Sequence, residues 1–256
     1  MSFQRLAVAS VTIAAIVGLG GCNSESKDSG STGAAPAATT AAAATPVEEF
    51  VAASKKLANE TMKMKMSMPG GIEANGSADL AAKKLDMTMS MAMGTESLDI
   101  AVRLVGETMY MKMDATGDKW MSLDVSKLPA GNSLNPENMA NAEAFAAAAV
   151  EVKRDGDNFS GTLDMTKSPT ADPDSLKALG SKATSVPFTA KRDSEGRLVE
   201  MVIDMSGMGA GAGKMTTTYY DFGTKVDVAA PAAADVTPMP EEMLKGFTSQ
   251  GSTAGA

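Results

Sequence analysis

Residues 61–68 read TMKMKMSM, residues 85–93 read LDMTMSMAM and residues 108–114 read TMYMKMD, with methionine at every second position in each. A period of two is that of a β-strand, in which residues two apart share a face about 6.6–6.8 Å from one another. Met62, Met64, Met66 and Met68 therefore stand opposite Lys63, Lys65 and Ser67. Met87, Met89, Met91 and Met93 oppose Asp86, Thr88 and Ser90, and Met109, Met111 and Met113 oppose Tyr110 and Lys112. Leu98, Ile100, Val102 and Leu104 continue the pattern, as do Val199, Met201, Ile203 and Met205 opposite Glu200 and Asp204. The polar rows read as a solvated outer face and the apolar rows as one inner face.

Working outward, the period predicts strands at 61–68, 72–81, 84–93, 97–106, 108–114 and 119–125. They are separated by turn residues such as Pro69-Gly70-Gly71, Gly94-Thr95 and Thr116-Gly117-Asp118. Connections this short join antiparallel neighbours. Further strands are predicted at 149–154, 158–166, 184–192, 197–206 and 213–222. Before them, Thr45-Pro46-Val47-Glu48 carries a capping box with proline at the first helical position, and Val47, Phe50, Val51, Leu57 and Ala58 keep helical spacing to about Asn59. Two more helices are predicted, one from Asn135-Pro136 through ENMANAEAFAAAA and a short one from Asp172-Pro173 to Gly180. The class is α+β: a large curved antiparallel sheet with a few helices on one face.

Three roles are open to the methionine rows. One is a plain core. The second is a soft, adaptable apolar wall, because methionine is flexible and polarizable and recurs at surfaces that accept varied partners. The third is a soft-metal site, because thioethers suit Cu(I). Sulfurs along one strand lie too far apart to share an ion, so a cross-strand trio would be needed, and the chain has no histidine.

The ends of the chain address location. MSFQRLAVASVTIAAIVGLGGC has one cation, Arg5, then an apolar run from Leu6 to Leu19, which is the layout of a secretory signal peptide spanning 1–21. Leu19-Gly20-Gly21-Cys22 resembles the lipobox of bacterial lipoproteins, which implies that Cys22 is acylated and becomes the mature N-terminus. Each buried methylene contributes about 0.8 kcal/mol, so two or three acyl chains anchor a protein durably. Residues 22–44, rich in Ser, Gly, Ala, Thr and Pro, read as a lipid-anchored flexible tether. Residues 238–256 read as a flexible tail, leaving 45–237 as the folded domain. The net charge of −8 becomes −9 once Arg5 leaves, with 22 basic residues against 31 acidic. Such a balance excludes bulk electrostatic binding to nucleic acid or to an anionic lipid surface.

The last part of the domain reads TSVPFTAKRDSEGRLVEMVIDM and then KMTTTYYDFGTKVDVAAPAAADV. Its Tyr-Tyr-Asp-Phe-Gly, Val-Asp-Val and Ala-Pro segments resemble those of the LppX/LprG-type lipoproteins of actinobacteria. The lipobox, tether, amphipathic helix and Trp120 in GDKWMSLDVSKL are similar to theirs as well. The resemblance implies a half-open antiparallel barrel like that of the LolA/LolB carriers, with helices on its concave side, in a lipid-binding or lipid-transferring protein of the cell envelope. The methionine rows are denser than the mixed Leu, Val and Ile expected of such relatives.

Nucleophilic triads need histidine, and none is present. GMGAGAGK, 207–214, has the glycines of a phosphate loop, but Lys214 is followed by Met215, where magnesium would need a hydroxyl, and the segment joins two strands. The expectation is therefore a non-enzyme with no cofactor and no catalytic or metal residues, held outside the cytoplasm by acylated Cys22. Its inner face would shelter a lipid or acylated ligand against Met64, Met66, Met89, Met91, Ile100, Val102, Met109, Met111, Met201 and Ile203. The helix at Pro136 or at Pro173 would shift as a lid. The alternative is a non-carrier envelope lipoprotein with a filled core and an unknown protein partner.

Cys22→Ser should yield a chain without acyl groups that moves to the aqueous phase in detergent partitioning. Retention in the detergent phase would exclude Cys22 as the anchor.

Overall fold

A computed structural model describes residues 43–94, 96–114, 117–128, 132, 135, 147–168, 176–177, 179–209 and 211–249. The leader and tether, Met93's side chain, and most of the two helices expected at Pro136 and Pro173 lie outside these. The chain from Ala43 onward forms one compact unit.

It opens with α1, Pro46–Ala58, whose start follows from its capping box. Glu48 N donates to Thr45 Oγ1 (3.3 Å) and Thr45 N donates to Glu48 Oε2 (2.7 Å), so two otherwise orphaned amide protons are satisfied. Glu48 and Glu49 in the first turn and Lys55 and Lys56 in the last complement the helix dipole.

Twelve strands follow in one sheet: β1 Thr61–Met68, β2 Ile72–Asp79, β3 Lys84–Met93, β4 Glu96–Val105, β5 Thr108–Met113, β6 Trp120–Asp124, β7 Ala149–Asp155, β8 Asn158–Leu163, β9 Val186–Arg192, β10 Leu198–Asp204, β11 Lys214–Tyr220 and β12 Val236–Pro238. Their spatial order is β12-β6-β5-β4-β3-β2-β1-β11-β10-β9-β8-β7, and the sheet does not close on itself. Two meanders, β1 to β6 and β7 to β11, are joined where β1 pairs antiparallel with β11, from Lys63↔Tyr220 to Ser67↔Thr216. Every pairing is antiparallel except that of the short edge strand β12 with β6. The result is an α+β fold built on one large, open sheet.

Two cores form on the inner face. The first gathers Phe50 and Ala53 of α1 with Phe159, Leu163, Val186, Phe188, Leu198 and Met201. Its centre is aromatic: the Phe50 ring meets Phe159 edge-on at 5.7 Å and Phe188 at 5.1 Å. The second gathers Met62, Leu85, Leu104, Met109, Met121, Leu123, Val125 and Leu128.

The structure corrects the sequence reading at three points. Residues 238–249, the described part of the expected tail, are not loose: β12 ends at Pro238 and is followed by buried Met239 and by α2, Glu241–Ser249, whose Met243 and Leu244 pack on the second core. Val199 does not continue the inner row, because a bulge at Leu198–Glu200 turns Leu198 inward instead. The strand expected at 119–125 ends at Asp124, whose side chain accepts from Ser126 N and caps a 3-10 turn that begins at Val125.

One glycine is dictated by backbone approach. A Cβ on Gly76 of β2 would lie 2.5 Å from the Asp86 carbonyl oxygen of β3. Gly76→Ala should therefore cost about 1–3 kcal/mol of stability in thermal or denaturant unfolding, as overpacking does. Gly207→Ala, where a Cβ would meet nothing, should stay within about 0.5 kcal/mol. Equal stability of the two variants would contradict the close approach.

Candidate functional site

Strand register lines the inner face up in rows that cross the sheet. One row runs Met62, Ala78, Leu85, Leu104, Met109, Leu123. The next runs Tyr219, Met64, Gly76, Met87, Val102, Met111, Met121. The third runs Met201, Thr217, Met66, Ala74, Met89, Ile100, Met113. Beyond it come Met68, Ile72, Met91 and Leu98. Nine of the ten residues singled out in the sequence as ligand-contacting fall in these rows, and Ile203, two positions beyond Met201 on β10 and paired with Met215, shares their face.

Their environments differ. Met109, 2% exposed, and Met201, 7% exposed, are embedded in the second and first cores respectively. Met64, Val102 and Met111 pack half-buried against the second core and Ile203 against the first. Met66, Met89, Met91 and Ile100 are half-buried and belong to neither core. These four form a soft apolar patch on β1, β3 and β4, further along the strands than the rows packed in the second core. Across it, the outer face is tied by polar pairs: Arg103 to Asp86 at 3.1 Å with its guanidinium over the Trp120 ring at 4.8 Å, Lys65 to Glu73 at 3.2 Å, and Lys63 to Asp221 at 2.8 Å. Such exposed pairs order the surface while adding little stability.

The inner face also carries two hydroxyls that hydropathy alternation missed. In TTTYY, 216–220, every side chain has a hydroxyl, so period two leaves no apolar trace. The register turns Thr217, buried, and Tyr219 inward. Tyr219 packs against both cores, and burial pushes its phenol from the ordinary 10.0 up to about 12, partly opposed by a hydrogen bond with Thr217.

An apolar cavity of about 130 Å³ opens at the β8–β11 end of the sheet, lined by Ala148, Leu163, Met165, Ser168, Val186, Ile203, Met205, Met208 and Met215. Of the ten expected residues only Ile203 reaches it. Met165, Met208 and Met215 were not legible as site residues because each lies in a turn or at a strand end, outside the regular alternation. A shallower depression of about 570 Å³ lies over Lys153, Asn158, Ser160, Thr189, Lys191 and Glu200 of β7–β10. Among the described residues no three His, Cys, Asp or Glu side chains gather to hold a metal, and no helix is long and apolar enough to cross a membrane.

A phenol whose folded pKa is raised contributes stability that is present below its unfolded value and lost as pH climbs toward the folded one. Stability should hold up to about pH 10 and fall toward about pH 12, with one of the three tyrosines ionising last in an ultraviolet titration. Tyr219→Phe should remove both the late phase and that part of the alkaline decline. A variant that keeps the late phase would reassign it. In comparisons with known proteins, no family model and no curated protein matches the chain.

Proposed function

We propose that the chain is a lipoprotein of the bacterial cell envelope, acylated at Cys22 and of the LppX/LprG type, that binds and transfers a lipid or acylated ligand without catalysing a reaction. On this reading the open sheet is the wall of a half-open barrel of LolA/LolB-like form, and the protein stands outside the cytoplasm on the outer face of the cell membrane. The inner rows replace the bilayer around the acyl chains, while the polar head stays at the rim.

The observation that carries the reading is the set Met66, Met89, Met91 and Ile100. These are large apolar side chains on the same face as both cores, yet members of neither and only half-buried. Methionine there adapts to chains of varied length and unsaturation. Sheltering about 300 Å² of apolar surface at about 25 cal/mol per Å² gives about 7 kcal/mol before the cost of immobilising the ligand.

The second reading, a filled-core interaction lipoprotein, draws on the burial of Met109 and Met201 and on the small size of the 130 Å³ cavity. Mass spectrometry of organic extracts from exported Cys22→Ser protein separates the two. A carrier should bring a stoichiometric lipid that disappears in Met89→Lys/Met91→Lys and survives Thr88→Lys, a change on the opposite face of the same strand. Protein that emerges empty and takes up no added lipid would leave the filled-core reading.

A further inference from the structure

Between β1 and β3 the methionines of the ladders are spread across the sheet. Met64 and Met87 lie two strands apart with Gly76 between them, and neighbours along a strand are about 6.6–6.8 Å apart. The 130 Å³ cavity is different. Four of its nine lining residues are methionines, drawn from three separate places in the chain. Met165 begins the 3-10 turn Met165–Lys167 after β8. Met205 and Met208 belong to the β10–β11 connection, and Met215 to β11 itself. Met205 N donates to Gly213 O (2.9 Å) and Met208 N donates to Met205 O (2.8 Å), so the turn holds both residues at the cavity.

We propose that this cavity is a binding site for Cu(I), with thioether ligands taken from Met165, Met205, Met208 and Met215. A sphere of the cavity's volume has a radius of about 3 Å. Side chains with three free torsions can swing their sulfurs inward over such a distance. The donor set selects the ion: thioethers are soft, neutral and poor hydrogen-bond acceptors, which suits Cu(I) and does not suit hydrated, hard cations. The remaining wall of Ala148, Leu163, Val186 and Ile203 is apolar, and among the described residues Ser168 is the only polar side chain lining the site. The volume is also too small for the body of an acyl chain. The inference does not depend on lipid binding, since none of the patch residues Met66, Met89, Met91 and Ile100 lines this cavity.

The test is anaerobic titration of Cys22→Ser protein, in which no thiol competes, with Cu(I) against a chromogenic chelator, repeated with Ag(I) as a redox-inert probe. One equivalent per chain should bind. Met205→Leu/Met208→Leu and Met165→Leu/Met215→Leu, which nearly conserve volume, should each weaken it at least about tenfold. Met89→Leu/Met91→Leu should leave it unchanged. X-ray absorption on the unsubstituted Cu(I) complex should show sulfur as the coordinating atom. The site is disproved by absence of competition with the chelator, by affinity that survives both cavity double variants, by loss confined to the Met89/Met91 variant, or by oxygen-only coordination.

Discussion

The antiparallel pairing of β1 with β11 is the constraint on which the molecule depends. Each meander pairs strands that follow one another in the chain, but each alone would leave a long strand edge and a half-covered apolar face. Lys63 reaches Asp221 across the seam, and Gly223 N donates to the Thr61 carbonyl (3.0 Å), so residues more than 150 positions apart close it. The helix that precedes β1 strengthens the join. α1 leads directly into the first strand of one meander but lies on the other, where Glu49 meets Arg154 at 2.7 Å, Lys56 donates to the Glu195 carbonyl, and Glu60, just past its end, meets Arg197 at 3.3 Å. Leu57 of α1 and Tyr219 of β11 touch both cores. The helix is thus clamped across the seam and is ill suited to moving as a lid.

The two halves solve packing differently. Around α1 three phenylalanine rings set a rigid centre, and Gly161 is needed there because a Cβ would come within 3.0 Å of the Phe188 ring and 2.9 Å of the Val150 carbonyl. That carbonyl belongs to the bulged stretch of β7, where Glu151 takes a positive φ of 53°. The other half relies on methionine and leucine, which fill space without imposing a shape. A ring core tolerates little adjustment, whereas a thioether core can repack around what it meets.

Much of this was legible in the sequence because period two is a strong physical signature where one face is solvated. The bounds of β1 and β3 follow from TMKMKMSM and KLDMTMSMAM, and α1 follows from Thr45, Pro46 and Glu48. What could not be read has specific causes. The β1–β11 pairing is non-local and leaves no mark in either strand alone. β12 has three residues and ends on Pro238, too short for a period to register. The inner hydroxyls of β11 are masked by polar neighbours on both faces. Of the cavity methionines, Met165 and Met208 sit in turns, where alternation ends, and Met215 stands in the hydroxyl-rich strand β11. The ladder residues were placed on the right face, but composition could not say which of them the cores would absorb.

Burial along the strands adds one more step. At the Thr61 end of β1 the inner face is full: Met62, Ala78, Leu85 and Leu104, which face one another across β1 to β4, are all essentially inaccessible. Six residues further on, the corresponding set, Met68, Ile72, Met91 and Leu98, is half-buried throughout. Because register locks the strands together, the four share a closed end and a more open one, with Ala74 of β2 still buried between them. β2 gives the inner face its smallest side chains, Ala74, Gly76 and Ala78, between the large rows of β1 and β3. Gly76 is small because the β3 backbone leaves no room for a Cβ, and the space above it falls to the flexible thioethers of Met64 and Met87. A face built this way can change how much it covers at its open end while the packed end, which holds the sheet's register, stays intact. Separating the adaptable thioethers from the stabilising ones along a single strand lets one run of alternating methionines serve both purposes.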